Sequence, residues 1–338
     1  MGRNPSDLIV FVSKRLLQLI PVLIGVVALT FILTHVLNPD PCALYLGHGN
    51  SQSAITECRV ANGYNLPLST QFIRYTGGLI SGDWGNAPGG IAVYPTVMAA
   101  LPATLELVLM ALFLMIIIGI PLGVVAAYSA GRWPDHAVRI FYLAGWATPT
   151  FLGAIVVALY VMPAFGLAVG EYSSAPTFPQ YTHFSVLDAL IAGNLGAAWD
   201  AFVHLFFPAL ALALLNLGIA TRMTRASMLE VLPLDYVKTA RMKGNSENTV
   251  LYKHALRNAL ITTVTVLGFT AGTLLSGTVV IETIFQWPGI GEYAYDAFTE
   301  GNIPGTIAVV VIFAIAVVIA NLIADFVYGL LDPRVEWR

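Results

Sequence analysis

Any chemistry in this chain must come from a small set of residues: 16 Lys and Arg, 19 Asp and Glu, six His and two Cys among 338 positions. A phosphate-cradling GxxxxGK[ST] loop needs glycine ahead of its lysine. Here Lys14, Lys238, Lys243 and Lys253 follow Ser, Val, Met and Tyr. HExxH, CxxC and GxSxG are all absent. His35, His48, His136, His183, His204 and His254 show no ligand spacing and read as loop or helix-end residues. Glu106, Glu282 and Asp325 fall near the ends of apolar runs, where a carboxylate reaches the interface at modest cost. Asn321 and Asp325 share one face of the last run, but no chain of acids continues a proton or ion route. An ion-coupled secondary transporter is therefore a distant alternative. One polar stretch stands out, the basic "TARMKGNSENT" from Thr239 to Thr249.

The surrounding elements explain why so little chemistry is present. Apolar residues make up 57% and charged residues 10% of the chain, against about 25% charged in a soluble domain. The expected fold is an all-α polytopic membrane protein with six transmembrane helices, over 15–37, 102–128, 138–162, 206–223, 258–285 and 304–331. Each run approaches the length needed to cross a bilayer, where unpaired backbone groups are too costly for anything but helix. With the tails 1–14 and 332–338 inside, the inner segments hold 14 of the 16 Lys and Arg, and only Arg59 and Arg74 lie outside. The positive-inside rule thus predicts both termini in the cytosol. The first run is too long for a signal-peptide core and reads as a retained anchor.

Outer loop 38–101 is too polar to span and too apolar for a disordered linker; a small external subdomain with amphipathic helices is expected. It contains Cys42 and Cys58. An oxidising exterior could join them, and the alternative is two unrelated thiols; the bridge is the expectation. Outer loops 163–205 and 286–303 are acidic and aromatic, which suits a docking face and is equally what topology permits. Inner loop 129–137 is short. Inner loop 224–257 is the longest cytosolic segment. There the fourth helix should run on until Pro233 breaks it, and "DYVKTARMKG" should form a short helix stopped by Gly244. Ser246 should cap the next helix. The product is a basic, partly apolar hairpin that either fits a partner's groove or merely sets topology. In the fifth run, Gly268, Gly272 and Ser276 recur at four-residue spacing, thickened by Thr273 and Gly277. They form either a helix-packing stripe or a smooth wall for a polar solute's path.

"TARMKG" followed by "HALRNAL" resembles the EAA-type coupling loop of binding-protein-dependent ABC importers, in the dipeptide/oligopeptide/nickel permease group. The likeness continues through "RLLQLIPVLIGV", "LPLSTQFIRYTGGLISGDWGN", "ETIFQWPGIGEYAYDA" and "NLIADFVYGLLDPRV". It implies a type I ABC importer-like permease fold, with the shared transmembrane domain over about 95–331. Lys238, Thr239 and Ala240 stand at the Glu-Ala-Ala positions, and Gly244 is the loop glycine. Lysine replaces the glutamate, and Leu256-Arg257 stands where many relatives have Leu-Pro. With Arg241, Lys243, His254 and Arg257 these form the expected ATPase-coupling site. The resemblance implies a homologous second permease, two ATPases that bind ATP and Mg, and an extracytoplasmic solute-binding protein. This chain is expected to bind no cofactor or metal, to perform no hydrolysis and to meet no nucleic acid. Peptides are the expected cargo, with oligosaccharides or nickel and other metal chelates as alternatives.

Overall fold

The computed structural model describes residues 13, 17, 20–33, 41–46, 51–87, 90–172 and 178–331. The described residues are helical throughout except for turns, loops and one isolated bridge. Helix α1 covers Ile20–Leu33. Three short helices follow: α2 (Pro41–Leu46), α3 (Gln52–Asn62) and α4 (Leu68–Ser81). The bundle comprises α5 (Val93–Tyr128), the pair α6 (Trp133–Ala147) and α7 (Thr150–Ala164), α9 (Leu195–Val231), α11 (Thr249–Phe285) and α13 (Ile303–Leu331). Between them lie α8 (Ser185–Ile191), α10 (Asp235–Met242) and α12 (Ile290–Thr299).

Four described helices are long and apolar enough to cross a membrane, or five if α6 and α7 count as one broken span. Helix α1 is shorter, and part of the expected first span at 15–37 lies outside the described residues. The expected third span, 138–162, is not one straight helix: α6 and α7 meet at 103°. Pro149 cannot donate to the helical ladder and drives the preceding residue toward extended backbone. Thr148 accordingly sits at φ −78°, ψ 124°. Helices α5 and α9 also extend well beyond 102–128 and 206–223, so each projects past its apolar core.

Small residues set the helix spacing. Helix α11 packs against α9 on one side and α13 on the other, while α9 also meets α5, α6 and α8. A Cβ at Gly119 would approach the Cβ of Ala220 to 2.7 Å, and one at Gly145 would meet the Leu214 carbonyl oxygen at 2.7 Å. Helix α5 widens to a π turn over Met115–Gly119 just before Pro121. That extra backbone gives the proline ring room against the preceding turn.

Two of the acids expected near helix ends, Glu106 and Glu282, are buried and bonded within the bundle. Glu106 lies inside α5 and accepts from the Ser185 amide (2.9 Å), the Ser185 hydroxyl (2.7 Å) and the Val186 amide (3.1 Å). Glu282, 0% exposed, accepts from the Thr104 hydroxyl (2.8 Å) and the Gly291 (2.6 Å) and Glu292 (3.1 Å) amides. Each carboxylate meets the positive N-terminal end of a short helix, α8 and α12 respectively, and satisfies free N–H groups there. Trp287, also 0% exposed, donates its indole N–H to the Ala103 carbonyl at 2.9 Å, so α5, α11 and α12 form one joint. Asp325 is helical, but its side chain lies outside the described residues.

Cys42 and Cys58 form a disulfide between α2 and α3, with Cα atoms 5.9 Å apart. Alkylation without reductant should label neither thiol and leave an intact mass two hydrogens below that of the reduced chain; labelling of both would remove the bridge.

Candidate functional site

The loop between α9 and α11 is a helical hairpin that turns twice. Helix α9 ends at Val231, Pro233 follows, and α10 occupies Asp235–Met242. Gly244 has φ +77°, a left-handed backbone that ends the helix, and its amide bonds the Arg241 carbonyl at 2.9 Å. The Ser246 hydroxyl then accepts from the Thr249 amide at 3.4 Å, a weak cap for the helical turn leading into α11.

Helix α10 has two faces. Val237 and Ala240 are buried among Met228, Val250, Leu251 and Ala255, and this cluster reaches Val124 and Ala127 of α5. The other face presents Tyr236, Lys238, Thr239 and Met242 to the outside, with Met242 79% exposed. The three EAA-equivalent residues are therefore split: Lys238 and Thr239 face outward, and Ala240 is 6% exposed. Ala240 packs on its own chain, where a small side chain fits among Val237, Val250 and Leu251. Gly244 has open space around it, and its backbone angle is what demands glycine.

Polar contacts hold the hairpin. Arg241 spans the turn to Glu247, with Nη2 to Oε1 at 2.9 Å and Nε to Oε1 at 3.2 Å. That carboxylate raises the guanidinium pKa above its ordinary value. Asn245 donates to the Ala240 carbonyl at 2.9 Å, and Asn258 donates to the Tyr236 hydroxyl at 2.6 Å, tying α10 to α11. Lys238 pairs with Asp235 at 2.9 Å, but both are open to solvent, so the pair adds little rigidity. Behind the hairpin, Arg225 of α9 donates twice to Asp135 of α6, both at 2.8 Å. Asp135 also accepts from the Gly131 amide at 3.0 Å. Sequence reading missed this buried bidentate lock; the only signal was an aspartate at a helix start, and its partner lies 90 residues away. Lys243 caps α10, whereas half-buried His254 and exposed Arg257 belong to the start of α11.

The stripe in α11 also divides by direction. A Cβ at Gly268 would collide with Ala324, and one at Gly272 would touch Val317 and Ala320 of α13, so both glycines serve packing. Gly277 faces Leu212 of α9. Thr273 and Ser276 turn away and, with Phe269 and Val280, form an exposed, mildly polar face. Arg222 lies over the Trp146 ring at 5.4 Å, at the end of broken helix α6.

At the opposite end of the bundle, burial and the neighbouring Glu106 and Asp188 carboxylates push Glu171 up to about 7. An acid that holds its proton more tightly when folded costs stability as pH rises from its unfolded value toward its folded one. Glu171→Gln should therefore raise the melting temperature at pH 8 and leave it unchanged at pH 4. An equal shift at both pH values would contradict the assignment.

Comparison with known proteins gives a consistent pattern. A family model described as binding-protein-dependent transport system inner membrane component matches residues 119–337, and its N-terminal companion matches residues 8–108. The chain is 39% identical over 329 residues to the probable D,D-dipeptide transport system permease protein of Escherichia coli (strain K12), covering 95% of this chain and 96% of that protein. It is 35% identical to a dipeptide transport system permease protein of Alkalihalophilus pseudofirmus, over 98% of this chain and all of the relative. An oligopeptide transport system permease protein of Bacillus subtilis is 33% identical over 97% of this chain and 99% of its own length. An inward-facing structure of the MetNI methionine ABC transporter superposes with a TM-score of 0.52 at 16% identity, covering 70% of this chain and 96% of that one. That likeness establishes the fold. The chain belongs to the family of binding-protein-dependent transport system inner membrane components.

Proposed function

We propose that this family member is one of two permease subunits in an ATP-driven importer that carries di- or oligopeptides into the cell, and that α10 receives the driving motion. The outward face of α10, Tyr236, Lys238, Thr239 and Met242 on a helix seated by Val237 and Ala240, carries the reading. A rigid helix with an apolar and basic exposed face is shaped to enter a groove on a cytosolic ATPase. The sequence lacks a phosphate loop, which is consistent with ATP and Mg acting on those partner subunits. Lysine and arginine placement supports cytosolic termini and an outward disulfide subdomain, on the side where a solute-binding protein would deliver cargo.

Seating and force transmission fall to different residues. Ala240, Arg241 and Gly244 hold the shape of the hairpin, and Lys238, Thr239 and Lys243 stand where a partner would touch. His254 and Arg257 carry displacement into α11. The exposed Thr273 and Ser276 face is then the part of the stripe available to line a solute path or to meet a homologous second permease.

Peptide cargo is favoured over oligosaccharides or nickel chelates because the curated relatives described above are named for dipeptides, a D,D-dipeptide and oligopeptides. Proteoliposomes containing both permeases, both ATPases and the binding protein should accumulate labelled dipeptide. Unlabelled peptides should compete, and sugars or nickel should not. Vesicles containing this chain alone should accumulate nothing; concentrative uptake by the single chain would overturn the proposal.

A further inference from the structure

A cavity of about 290 Å³ lies where α3 and α4 roof the end of α1 and the start of α13. Its floor is apolar, with Phe31 and Ile307, and its polar lining includes Arg74, Asp83, Asn62 and Asn86. The frame around it is built: the Gln71 amide donates to the Leu66 carbonyl at 2.8 Å, and the Tyr75 hydroxyl donates to the Pro304 carbonyl at 3.3 Å. Gly63 has φ +72°, and a Cβ there would stand 2.9 Å from Arg74 Nη1, so glycine makes room for the guanidinium.

The charges in this cavity do not satisfy each other. Among the described residues, Arg74 has no hydrogen-bond acceptor or ion-pair partner, and Asp83 accepts only from the Gly85 amide, at 3.2 Å through Oδ1. A ligand with one charge would satisfy one of these groups and be opposed by the other. A ligand with both charges satisfies both, and a guanidinium suits a planar or tetrahedral oxyanion.

We propose that this cavity binds a small zwitterion, with its carboxylate or phosphate on Arg74 and its ammonium on Asp83. The shared chemistry has two sources: a free amino acid or short peptide, and the head group of phosphatidylethanolamine, whose chains would follow the apolar floor. The inference stands apart from the cargo reading, because the cavity is lined by residues of α1, α3, α4, the segment after α4 and the start of α13, and by none of α11, which carries Thr273 and Ser276.

The test uses the full-length chain assembled with its partners in nanodiscs. Glycylglycine binding is measured by calorimetry in phosphatidylglycerol discs, and retention of phosphatidylethanolamine by native mass spectrometry in mixed discs. Arg74→Gln and Asp83→Asn each remove one charge from an exposed side chain, and an intact Cys42–Cys58 bridge confirms folding. Each variant is expected to weaken glycylglycine binding, phosphatidylethanolamine retention, or both, by about tenfold or more. Exchanging the charges, Arg74→Asp with Asp83→Arg, should restore part of the loss. A change confined to one probe identifies the source. Variants that match the unmodified chain with both probes would overturn the proposal.

Discussion

Gly244→Pro is expected to leave insertion and the fold of the bundle intact, keep the partner ATPases hydrolysing, and reduce peptide uptake by about tenfold or more. The native φ at this position is +77°, whereas proline holds φ near −65°, so the chain must leave α10 in another direction. Proline also removes the 2.9 Å bond from the Gly244 amide to the Arg241 carbonyl. The Arg241–Glu247 pair, which spans the same turn, would open with it. Gly244→Ala keeps the amide and pays only for left-handed backbone, about 1 kcal/mol, so it should lie between the two. Hydrolysis and uptake measured on the same proteoliposomes separate this from simple loss of assembly. Unmodified uptake by Gly244→Pro would remove the hairpin from the coupling route.

Glu282→Leu should be among the most destabilising single changes in the chain. It strands three donors: the Thr104 hydroxyl and the Gly291 and Glu292 amides. The first two of these bonds are buried, and each buried, unsatisfied polar group costs about 1–3 kcal/mol, so a loss of at least about 2 kcal/mol is expected. Glu282→Gln keeps an acceptor oxygen and should lose less. Gly291→Ala tests the same joint independently, because its Cβ would lie 2.7 Å from the Val279 Cα. Thermal unfolding in detergent reads all three. A Glu282→Leu chain that melts with the unmodified protein would mean that the carboxylate does not anchor α12.

The comparison of sequence with structure is clearest at particular residues. The short helix over Asp235–Met242 and its stop at Gly244 were legible because proline and glycine punctuate a chain locally. The break at Thr148-Pro149 was present in the sequence too, yet unbroken apolar composition on either side concealed it. The burial of Glu106 and Glu282 was not legible, because composition shows only that an acid sits near the end of an apolar run. It does not show which amides will arrive from elsewhere. The glycine stripe was visible as spacing, but spacing cannot say which helix stands opposite Gly268 or that Ser276 turns away.

Apolar run length and the order of local motifs were set along the chain itself, and they suffice to specify a helical membrane protein that resembles importer permeases and carries a helical hairpin between α9 and α11. They do so because bilayer thickness, backbone satisfaction and helix punctuation act on neighbouring residues. Partnerships across long separations were decided only by folding: Glu282 with Thr104, Arg225 with Asp135, and Ala240 against α5. Those depend on how helices approach one another, and each approach is the sum of many small contacts that no single stretch contains.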